Sequence, residues 1–293
     1  MPVNEAARAR YQDRMARVLD HIDRHLEGDL GLDEVAGVAA FSKHHFHRQF
    51  SASFGISLHR FVQLARMKRA SYRLAFREGE AITGIALDSG YEAPEAFARA
   101  FRQRFGQAPS DFRKAPAWEP WLSALGPLNE ARSQQMKTDF DSNDVTLIDF
   151  PETAVAILPH RGSPARIHET IQRFIAWRKA NGLPPSRSAT FNIFHSEADA
   201  EDFRIDLCAA TDKIIAPNDS GVESGSIPAG RCAMMRLTGS SDNLEPAASW
   251  LYREWLPTSG KEPRDFPLFC RRITFFPDVP EHEAVTELYL PLA

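Results

Sequence analysis

The chain has 293 residues, of which 43% are hydrophobic and 25% charged, and a formal net charge of −4 at neutral pH. This length suggests two domains with a core each, and the composition is that of an ordinary soluble globular protein. No apolar run approaches the roughly 18 residues that span a bilayer, the first residues lack a signal-peptide core, and the three cysteines show no CxxC spacing. We therefore expect a cytoplasmic protein with no membrane association, disulfide framework or structural zinc.

Charge is distributed unequally along the chain. Residues 1–115 hold 18 Lys and Arg against 14 Asp and Glu, whereas the remaining residues hold 17 against 25. A mildly basic first part joined to an acidic second part is typical of a nucleic-acid module linked to a partner domain.

The first part predicts a series of helices, because apolar residues recur there at helical spacing. The predicted helices cover residues 11–26, 32–40, 42–54, 58–76, 82–86 and 94–105. Ser42 lies where an N-cap belongs, and Pro94 suits the first position of its helix. Ala93 occupies the equivalent N-cap position without a side-chain oxygen, which we expect to cost on the order of 1 kcal/mol relative to serine.

Two of these helices are copies of one another. The sequences are FHRQFSASFGISLHRF and FARAFRQRFGQAPSDF, at residues 46–61 and 97–112. The phenylalanines recur at i, i+4 and i+8 and so share one face, which we expect to be buried. Gly55 and Gly106 can end the helices in the left-handed conformation. Arg48 and Arg99 lie between the phenylalanines and must point elsewhere. With a short helix and a turn before each copy, the pattern predicts two helix-turn-helix units.

On these residues, the segment 11–114 resembles the DNA-binding domain of AraC/XylS-type transcription regulators, in which a long helix joins two helix-turn-helix units. The residues that carry the resemblance are Leu32, Val35, Ala36, Ser42, Phe46, Arg48, Phe50, Gly55, Phe61, Ile82, Ile85, Ala86, Gly90, Tyr91, Phe97, Arg99, Phe101, Gly106, Pro109 and Phe112. The resemblance implies an all-α DNA-binding domain, which we place at residues 8–115.

After this domain the chain changes character. Residues 116–141 begin with tryptophans and prolines and end in a polar run, and we interpret them as a linker that packs in part. The remainder predicts an internal repeat, in which Pro151 and Gly162 correspond to Pro228 and Gly239 at an offset of 77. Trp177 corresponds to Trp255 only after one inserted residue. The predicted strands cover residues 145–150, 154–158, 190–195, 203–209, 232–237, 268–275 and 285–290, and the predicted helices 165–181 and 244–255.

Each half therefore reads strand, helix, strand, strand, and the two halves are expected to pair about a pseudo-two-fold axis with a cleft between them. The segments that carry a further resemblance are Trp255-Leu256-Pro257, Ser259-Gly260, Phe266-Pro267, Phe269 and Glu287-Leu288-Tyr289-Leu290-Pro291. On these residues, the segment 142–293 resembles the GyrI-like small-molecule-binding domain. The expected fold class is thus α+β in two domains, an all-α double helix-turn-helix domain followed by an α+β domain.

A recognition helix presents the exposed residues of its N-terminal turns to base edges in the major groove. The candidates are Lys43, His44, His47 and Arg48 in the first copy and Glu95 and Arg99 in the second. By resemblance to AraC-type domains, Arg48 and Arg99 contact DNA directly. A solvated helix face remains the alternative for the histidines, and a first-turn acid favoured by the helix dipole is the alternative for Glu95.

The long joining helix carries several cationic residues. Lys68, Arg69 and Arg73 are expected to meet phosphates or solvent. Histidines 44, 45 and 47 resemble a zinc motif, but no third ligand lies near them, so we expect no metal. No phosphate loop, GxSxG elbow or HExxH motif occurs, so we expect no catalytic residues and no cofactor.

In the second domain, aromatic residues would form a flat, apolar ligand pocket. The candidates are Trp177, Phe191, Tyr252, Trp255 and Tyr289, with core packing as the alternative for each. Glu287 alternates onto the same strand face as Tyr289 and would be a carboxylate for a cationic ligand or for acid–base chemistry. GyrI-like domains commonly carry a pocket glutamate where this chain has Cys270. A thiol is mostly neutral at pH 7, so Cys270 would not give the pocket the preference for cationic ligands that a glutamate gives. Cys270 could instead be a reactive sensor cysteine.

These observations predict a one-component transcription regulator whose partners are double-stranded DNA and a small, apolar or aromatic effector, with RNA polymerase as a further candidate. The chain would act as a monomer or a homodimer. The alternatives are a hydrolase that detoxifies a small xenobiotic, with Glu287 as its base, and a protein-binding module. The first reading helix is expected to carry most base discrimination, because the second offers little beyond Glu95 and Arg99.

Overall fold

The structure is a computed structural model and describes residues 2–28, 30–133, 140–196 and 203–293. The chain divides into two compact units, Met1–Met136 with Pro280–His282 and Lys137–Val279 with Glu283–Ala293. Within the described ranges, no helix combines the length and the hydropathy needed to cross a membrane.

The first unit is built from helices. Those in its described residues are α1 (Pro2–Arg24), α2 (Leu32–Val38), α3 (Lys43–Phe54), α4 (Leu58–Phe76), α5 (Ile82–Asp88), α6 (Pro94–Phe105), α7 (Pro109–Lys114) and α8 (Trp118–Ser133). The pairs α2–α3 and α5–α6 are the two helix-turn-helix units, and α4 joins them. The predicted all-α domain with two such units is confirmed.

The repeated phenylalanines form the core of both copies. All six, at positions 46, 50, 54, 97, 101 and 105, are at most 2% exposed. Phe50 meets Phe61 edge to face with ring centroids 5.7 Å apart, and Phe101 meets Phe112 in the same way at 5.3 Å. Each helix ends at a glycine in the left-handed conformation, with φ of 68° at Gly55 and 75° at Gly106. The duplication therefore extends from sequence to core packing.

The cations of α4 lie in contacts within the unit, which differs from the expectation of phosphate or solvent contacts. Arg69 binds Glu27 at 2.6 Å, on the first copy's side of the helix. Arg73 binds both Glu80 at 2.6 Å and Asp88 at 2.7 Å, on the second copy's side. Burial lowers the pKa of the Arg73 guanidinium, but its bonds to these two carboxylates outweigh burial and raise the pKa overall. These side chains are 15–19% exposed, so they tie helices together instead of reaching outward.

The segment predicted to be a linker contains helix α8. Trp118 and Trp121 are buried in the core of the first unit, and Trp118 meets Phe112 edge to face at 5.4 Å. Arg132, near the end of α8, binds Asp23 of α1 at 2.9 Å. Proline suggested a linker, but Pro120 lies in the first turn of α8, where a missing backbone N–H breaks no intrahelical bond. Pro127 lies inside the helix and removes one such bond without ending it.

The second unit contains one antiparallel sheet of eight strands in the described residues. They are β1 (Val145–Phe150), β2 (Thr153–Arg161), β3 (Thr190–Phe194), β4 (Arg204–Ala210), β5 (Glu223–Ile227), β6 (Gly230–Thr238), β7 (Phe269–Arg272) and β8 (Val285–Pro291). Their order in the sheet is β1-β6-β8-β7-β3-β4-β2-β5. The order is symmetric about the central β3–β7 pair, because each half contributes its first strand to the sheet edge formed by the other half.

The helices of this unit cover one face of the sheet. Helix α9 (Ile167–Ala180) packs on β2 and β4, and α10 (Leu244–Trp250) lies over the strands of the second half. A π-helical turn, Leu251–Trp255, follows α10 and leads into α11 (Leu256–Ser259). A π-turn accommodates one extra residue in a helix, so it absorbs the insertion seen between the two halves and returns Trp255 to the buried face. Strand β5 was not predicted, because Glu223–Ile227 is short, polar and at a sheet edge.

Two serine N-caps allow a test of local helix stability. The Ser57 side chain accepts a bond from the Arg60 N–H at 3.3 Å at the start of α4, whereas Ser42 caps α3 without a side-chain bond. We expect Ser57→Ala to lower the free energy of unfolding by about 1 kcal/mol, and Ser42→Ala to lower it by less than about half of that.

Chemical denaturation followed by circular dichroism measures both variants, because the first unit supplies most of the helical signal. The second copy has Ala108 at the position of Ser57, so alanine is compatible with this cap and serves as the matched reference. Equal losses in the two variants would contradict the assignment of the cap to Ser57.

Candidate functional sites

Helix α3 presents four of the predicted DNA-contacting residues on its exposed side. Lys43, His44, His47 and Arg48 are all exposed, while the neighbouring phenylalanines are buried. Lys43 binds Asp33 of α2 at 2.8 Å. His44, His47 and Arg48 make no side-chain hydrogen bond or ion pair with the described part of the chain, so they are available to a ligand.

Helix α6 presents fewer polar groups. Glu95 and Arg99 are exposed and have no side-chain partner among the described residues. Pro94 occupies the first turn, and Ala93 is the N-cap without a side-chain bond, as the sequence predicts. Arg99 is at the same place in its helix as Arg48 in α3, so both copies direct an unpaired guanidinium away from the core.

The predicted ligand residues of the second unit fall on two faces of the sheet. Phe191, Tyr289 and Glu287 lie on the face that carries no helix. Trp177 and Trp255 are buried beneath the helices, and Cys270 lies with them on that covered face. Tyr252, on the π-turn, is 44% exposed. The structure thus brings three of the seven candidates together on the helix-free face and separates the rest from them.

Aromatic rings fill the centre of the helix-free face. Tyr289 stacks on Phe269 with centroids 4.9 Å apart and an interplanar angle of 11°. Phe150 meets Phe269 edge to face at 4.9 Å and Phe191 at 6.1 Å. These four residues, the aromatic cluster, are surrounded by the half-buried side chains of Ile148, Ile157 and Met234. All four rings are at most 6% exposed, so they form an apolar core on this face to which both halves of the sheet contribute.

Glu287 borders the aromatic cluster, and its negative charge is paired with an arginine. One carboxylate oxygen accepts a bond from the Arg236 guanidinium at 2.6 Å, and the other accepts from the Tyr289 hydroxyl at 2.6 Å. Arg271 faces Glu287 on the neighbouring strand. Burial raises the pKa of Tyr289, and the Glu287 carboxylate that accepts its proton raises it further, so Tyr289 stays a hydrogen-bond donor at neutral pH.

The structure reveals a second carboxylate that sequence reasoning missed. Asp206 on β4 occupies the place that Glu287 has on β8, since each lies beside the central strand of its own half. Its side chain is 4% exposed and accepts bonds from His195 at 2.7 Å and from Arg204 at 3.2 Å. The internal repeat could have indicated it, but only after the strands of the two halves had been aligned through the sheet register.

All three cysteines are buried, and none has an exposed thiol. Burial raises the pKa of Cys208, of Cys232 and of Cys270 above the usual value of a thiol. Arg272 acts in the opposite direction on Cys270 without reversing the shift. In the described parts of the chain, no group of three or more His, Cys, Asp and Glu side chains is placed to hold a metal ion.

Comparisons with known proteins agree with this two-unit architecture. Residues 143–293 match the GyrI-like small molecule binding domain, and residues 35–115 match a helix-turn-helix domain. The class of protein is thus a DNA-binding transcription regulator. The chain belongs to the GyrI-like family and carries an AraC-type helix-turn-helix domain at its N-terminal side.

Three similar proteins each match one of the two units. The probable transcriptional regulator YgiV of Escherichia coli (strain K12) is 36% identical over 154 residues, which cover 51% of this chain and 96% of that protein. An uncharacterized HTH-type transcriptional regulator of Staphylococcus aureus (strain COL) is 33% identical over 101 residues, which cover 34% of this chain and 13% of that protein. The crystal structure of the EcmrR C-terminal domain is 19% identical, covers 51% of this chain and 96% of that chain, and has a TM-score of 0.44.

The burial of the thiols predicts their reactivity. Titration with Ellman's reagent at pH 7 is expected to label none of the three cysteines in the folded protein and all three in guanidinium chloride, because a buried thiol with a raised pKa offers little accessible thiolate. One rapidly labelled thiol that disappears in Cys270→Ser would contradict this expectation and favour a sensor cysteine.

Proposed function

We propose that the protein is a one-component regulator that reads DNA with α3 and α6 and binds a small, neutral aromatic effector on the helix-free face of the second unit. Effector binding alters the affinity for DNA or the contact with RNA polymerase in the cytoplasm. Such coupling requires the effector to bind one conformation better than the other, typically by about 1–3 kcal/mol.

The DNA-reading part rests on one observation, the pair of equivalent unpaired guanidinium groups. Arg48 and Arg99 occupy matching positions on two helices whose phenylalanines are buried in one core. An arginine can bond bidentately to guanine O6 and N7 in the major groove. Helix α4 joins the two copies, with Arg73 bound to Glu80 and Asp88 beside the second copy and Arg69 bound to Glu27 ahead of the first. This arrangement supports simultaneous binding in successive major grooves about 34 Å apart.

The two reading helices are not equal in this proposal. His44, His47 and Arg48 supply α3 with several groups for base edges, whereas α6 supplies Glu95 and Arg99. Lys43 forms an ion pair with Asp33. On DNA it either keeps this ion pair or replaces it with a contact to a backbone phosphate. The first copy therefore carries most base discrimination, and the second mainly positions the unit on DNA.

The effector-binding part rests on the aromatic cluster and the groups beside it. Its rings lie on the one face of the sheet that no helix covers in the described residues, and aromatic rings favour stacked or edge-to-face contact with another ring. Because the rings are at most 6% exposed, the effector reaches them only when the half-buried side chains around them move aside. We place the effector against Phe191 and Tyr289, with Glu287 at the border. Trp177, Tyr252, Trp255 and Cys270 lie away from this face and are not part of the proposed site.

The charges around Glu287 favour a neutral effector over a cation. Arg236 binds the carboxylate directly, and Arg271 lies on the adjacent strand without a carboxylate partner of its own in the described residues. Two guanidinium groups thus surround one carboxylate, and a cation would have to compete with them. The same contacts favour binding over hydrolysis, since the two bonds that Glu287 accepts leave only its remaining lone pairs to position a water.

Two arginine variants test the DNA-reading proposal. With DNA selected by the full-length protein from a random-sequence pool, we expect Arg48→Ala to lose about 1–3 kcal/mol of binding free energy and to relax specificity at one base pair. Arg99→Ala is expected to weaken binding with less change in specificity. Fluorescence anisotropy on matched and mismatched DNA at several salt concentrations measures both effects.

Arg17→Ala is the matched control, because it removes an exposed arginine of α1 without changing either reading helix. Unchanged affinity and salt dependence in the Arg48→Ala/Arg99→Ala double variant would rule out the DNA-reading assignment. A larger loss of specificity in Arg99→Ala than in Arg48→Ala would reverse the proposed order of the two helices.

The charge preference of the effector site is tested with two probes of similar shape, 2-naphthol and a naphthalene carrying a trimethylammonium group. Isothermal titration calorimetry is expected to give tighter binding of the neutral probe. Arg236→Gln frees the Glu287 charge and should shift the preference toward the cation at least several-fold, whereas the double variant Arg236→Gln/Glu287→Gln should restore the preference for the neutral probe. A wild-type protein that prefers the cation would contradict the proposed site charge.

A further inference from the structure

A second concave site lies at the end of β2 and the beginning of α9. It is a cavity of about 360 Å³, and its walls come from the strand end, the following turn and the first turns of the helix. The lining residues are Pro159, His160, Arg161, Gly162, Ser163, Arg166, Glu169, Thr170 and Arg173. None of them belongs to the aromatic cluster or to its border, so this cavity is separate from the proposed effector site.

The cavity carries more positive than negative charge. Arg161 has no side-chain partner in the described structure, and Arg173 donates to the backbone carbonyl of Ser220 at 3.0 Å, which leaves its charge uncompensated. Arg166 alone is paired, with Glu169 at 2.9 Å, and this bond lowers the pKa of the Glu169 carboxyl. Three guanidinium groups thus face one carboxylate across a small space.

This arrangement is unfavourable for the helix that it adjoins. The N-terminus of an α-helix carries partial positive charge, so anions stabilise it and cations do not. Arg161 and Arg166 lie before the first residue of α9, at its positive end. Placing them there gives no evident structural benefit, and an anion bound between them would remove both the mutual repulsion and the conflict with the helix dipole.

The second half of the sheet serves as an internal control for what the fold itself requires. At the equivalent place, Gly239 and Ser240 correspond to Gly162 and Ser163, and both serines accept a bond from the N–H two residues later. That copy lacks these arginines at the corresponding positions, and its one arginine contact in the described residues comes from Arg272 of β7, which donates to the Ser241 hydroxyl at 2.7 Å. At the offset of 77, Arg161, Arg166, Glu169 and Arg173 correspond to Thr238, Asn243, Pro246 and Trp250. The turn and the helix therefore form without the arginines.

A buried polar pair shapes the cavity in the same half. His160, 5% exposed, lies with Nδ1 2.8 Å from the Thr170 hydroxyl and Nε2 3.1 Å from the Ser163 carbonyl. The carbonyl can only accept, so Nε2 donates to it, and in the neutral ring Nδ1 accepts from Thr170. The corresponding residues of the other half are Leu237 and Ala247. His160 thus fixes the turn that carries Ser163, in place of simple apolar packing.

We propose that this cavity binds the dianionic oxyanion group of a small molecule, as carried by a phosphate monoester. Guanidinium groups match the geometry of phosphate oxygens through paired N–H donors, and the helix N-terminus adds attraction for negative charge. The volume accommodates a phosphate group with a small substituent. The second unit then binds two chemically different ligands, an aromatic effector on the helix-free face and an anion at the start of α9.

Calorimetric titration of the full-length protein with inorganic phosphate and with glycerol 3-phosphate, at constant ionic strength set with chloride, tests the proposal. The variant Arg161→Thr/Arg166→Asn installs the residues of the other half and is expected to weaken phosphate binding at least tenfold. The control Arg231→Thr/Arg253→Asn removes the same charge from exposed arginines elsewhere in the unit and should bind like the wild type. Arg48→Ala/Arg99→Ala should also retain phosphate binding, which excludes the DNA-reading helices as its source.

Thermal unfolding gives an independent readout, because the variant is expected to fold at least as stably as the wild type in chloride but to lose the stabilisation that phosphate provides. Undiminished phosphate binding in Arg161→Thr/Arg166→Asn would overturn the proposal. Equal weakening in the control variant, or equal stabilisation by chloride and phosphate, would also overturn it, since binding would then reflect overall charge. Succinate binding as tightly as phosphate would assign the site to dicarboxylates instead.

Discussion

The first unit depends on the contacts that α4 makes with both helix-turn-helix copies. Arg69 binds Glu27 beside the first copy, and Arg73 binds Glu80 and Asp88 around the second. Arg66 donates to the Leu26 carbonyl at 2.7 Å and also lies against Gly90, where an added Cβ would be 2.5 Å from its Nη1. The arginines of these pairs are 15–19% exposed, whereas their carboxylate partners are 37–59% exposed. The spacing of α3 and α6 is therefore set by one helix between them.

This arrangement separates the residues that build the fold from those that are free to bind. In both reading helices the phenylalanines supply the core and the arginines stay unpaired. The second unit is likewise built from two similar halves, which share a sheet pattern, a glycine–serine turn and a covering helix. The halves differ where charge is concentrated, because the arginines that line the start of α9 are replaced by Thr238, Asn243 and Trp250 at the same offset in the second half. Duplication thus provides the scaffold, and divergence between copies indicates the binding groups.

Several interpretations of the sequence failed for identifiable physical reasons. Proline and a polar run indicated a linker that packs in part but did not indicate a helix, although α8 contains Pro120 in its first turn and Pro127 in its interior. The cations of α4 looked exposed, because helical periodicity does not reveal the acidic partners that lie 7 to 42 positions away in the chain. The sequence did not indicate how the second half accommodates its inserted residue. In the structure a π-helical turn holds that residue, and the burial of Trp255 stabilises the turn.

By itself, the sequence determined the two helix-turn-helix units, their buried phenylalanines, the left-handed glycines and the repeated strand–helix pattern, because each of these follows from spacing within about twenty residues. Only the tertiary structure decided which ligand candidates share a surface. Strand pairing placed Phe191, Glu287 and Tyr289 on the helix-free face, and a one-residue alternation put Cys270 on the other. The tertiary structure also brings Arg161, Arg166 and Arg173 together around the end of β2. Burial and ion pairing depend on strand register and helix packing, which local spacing does not encode.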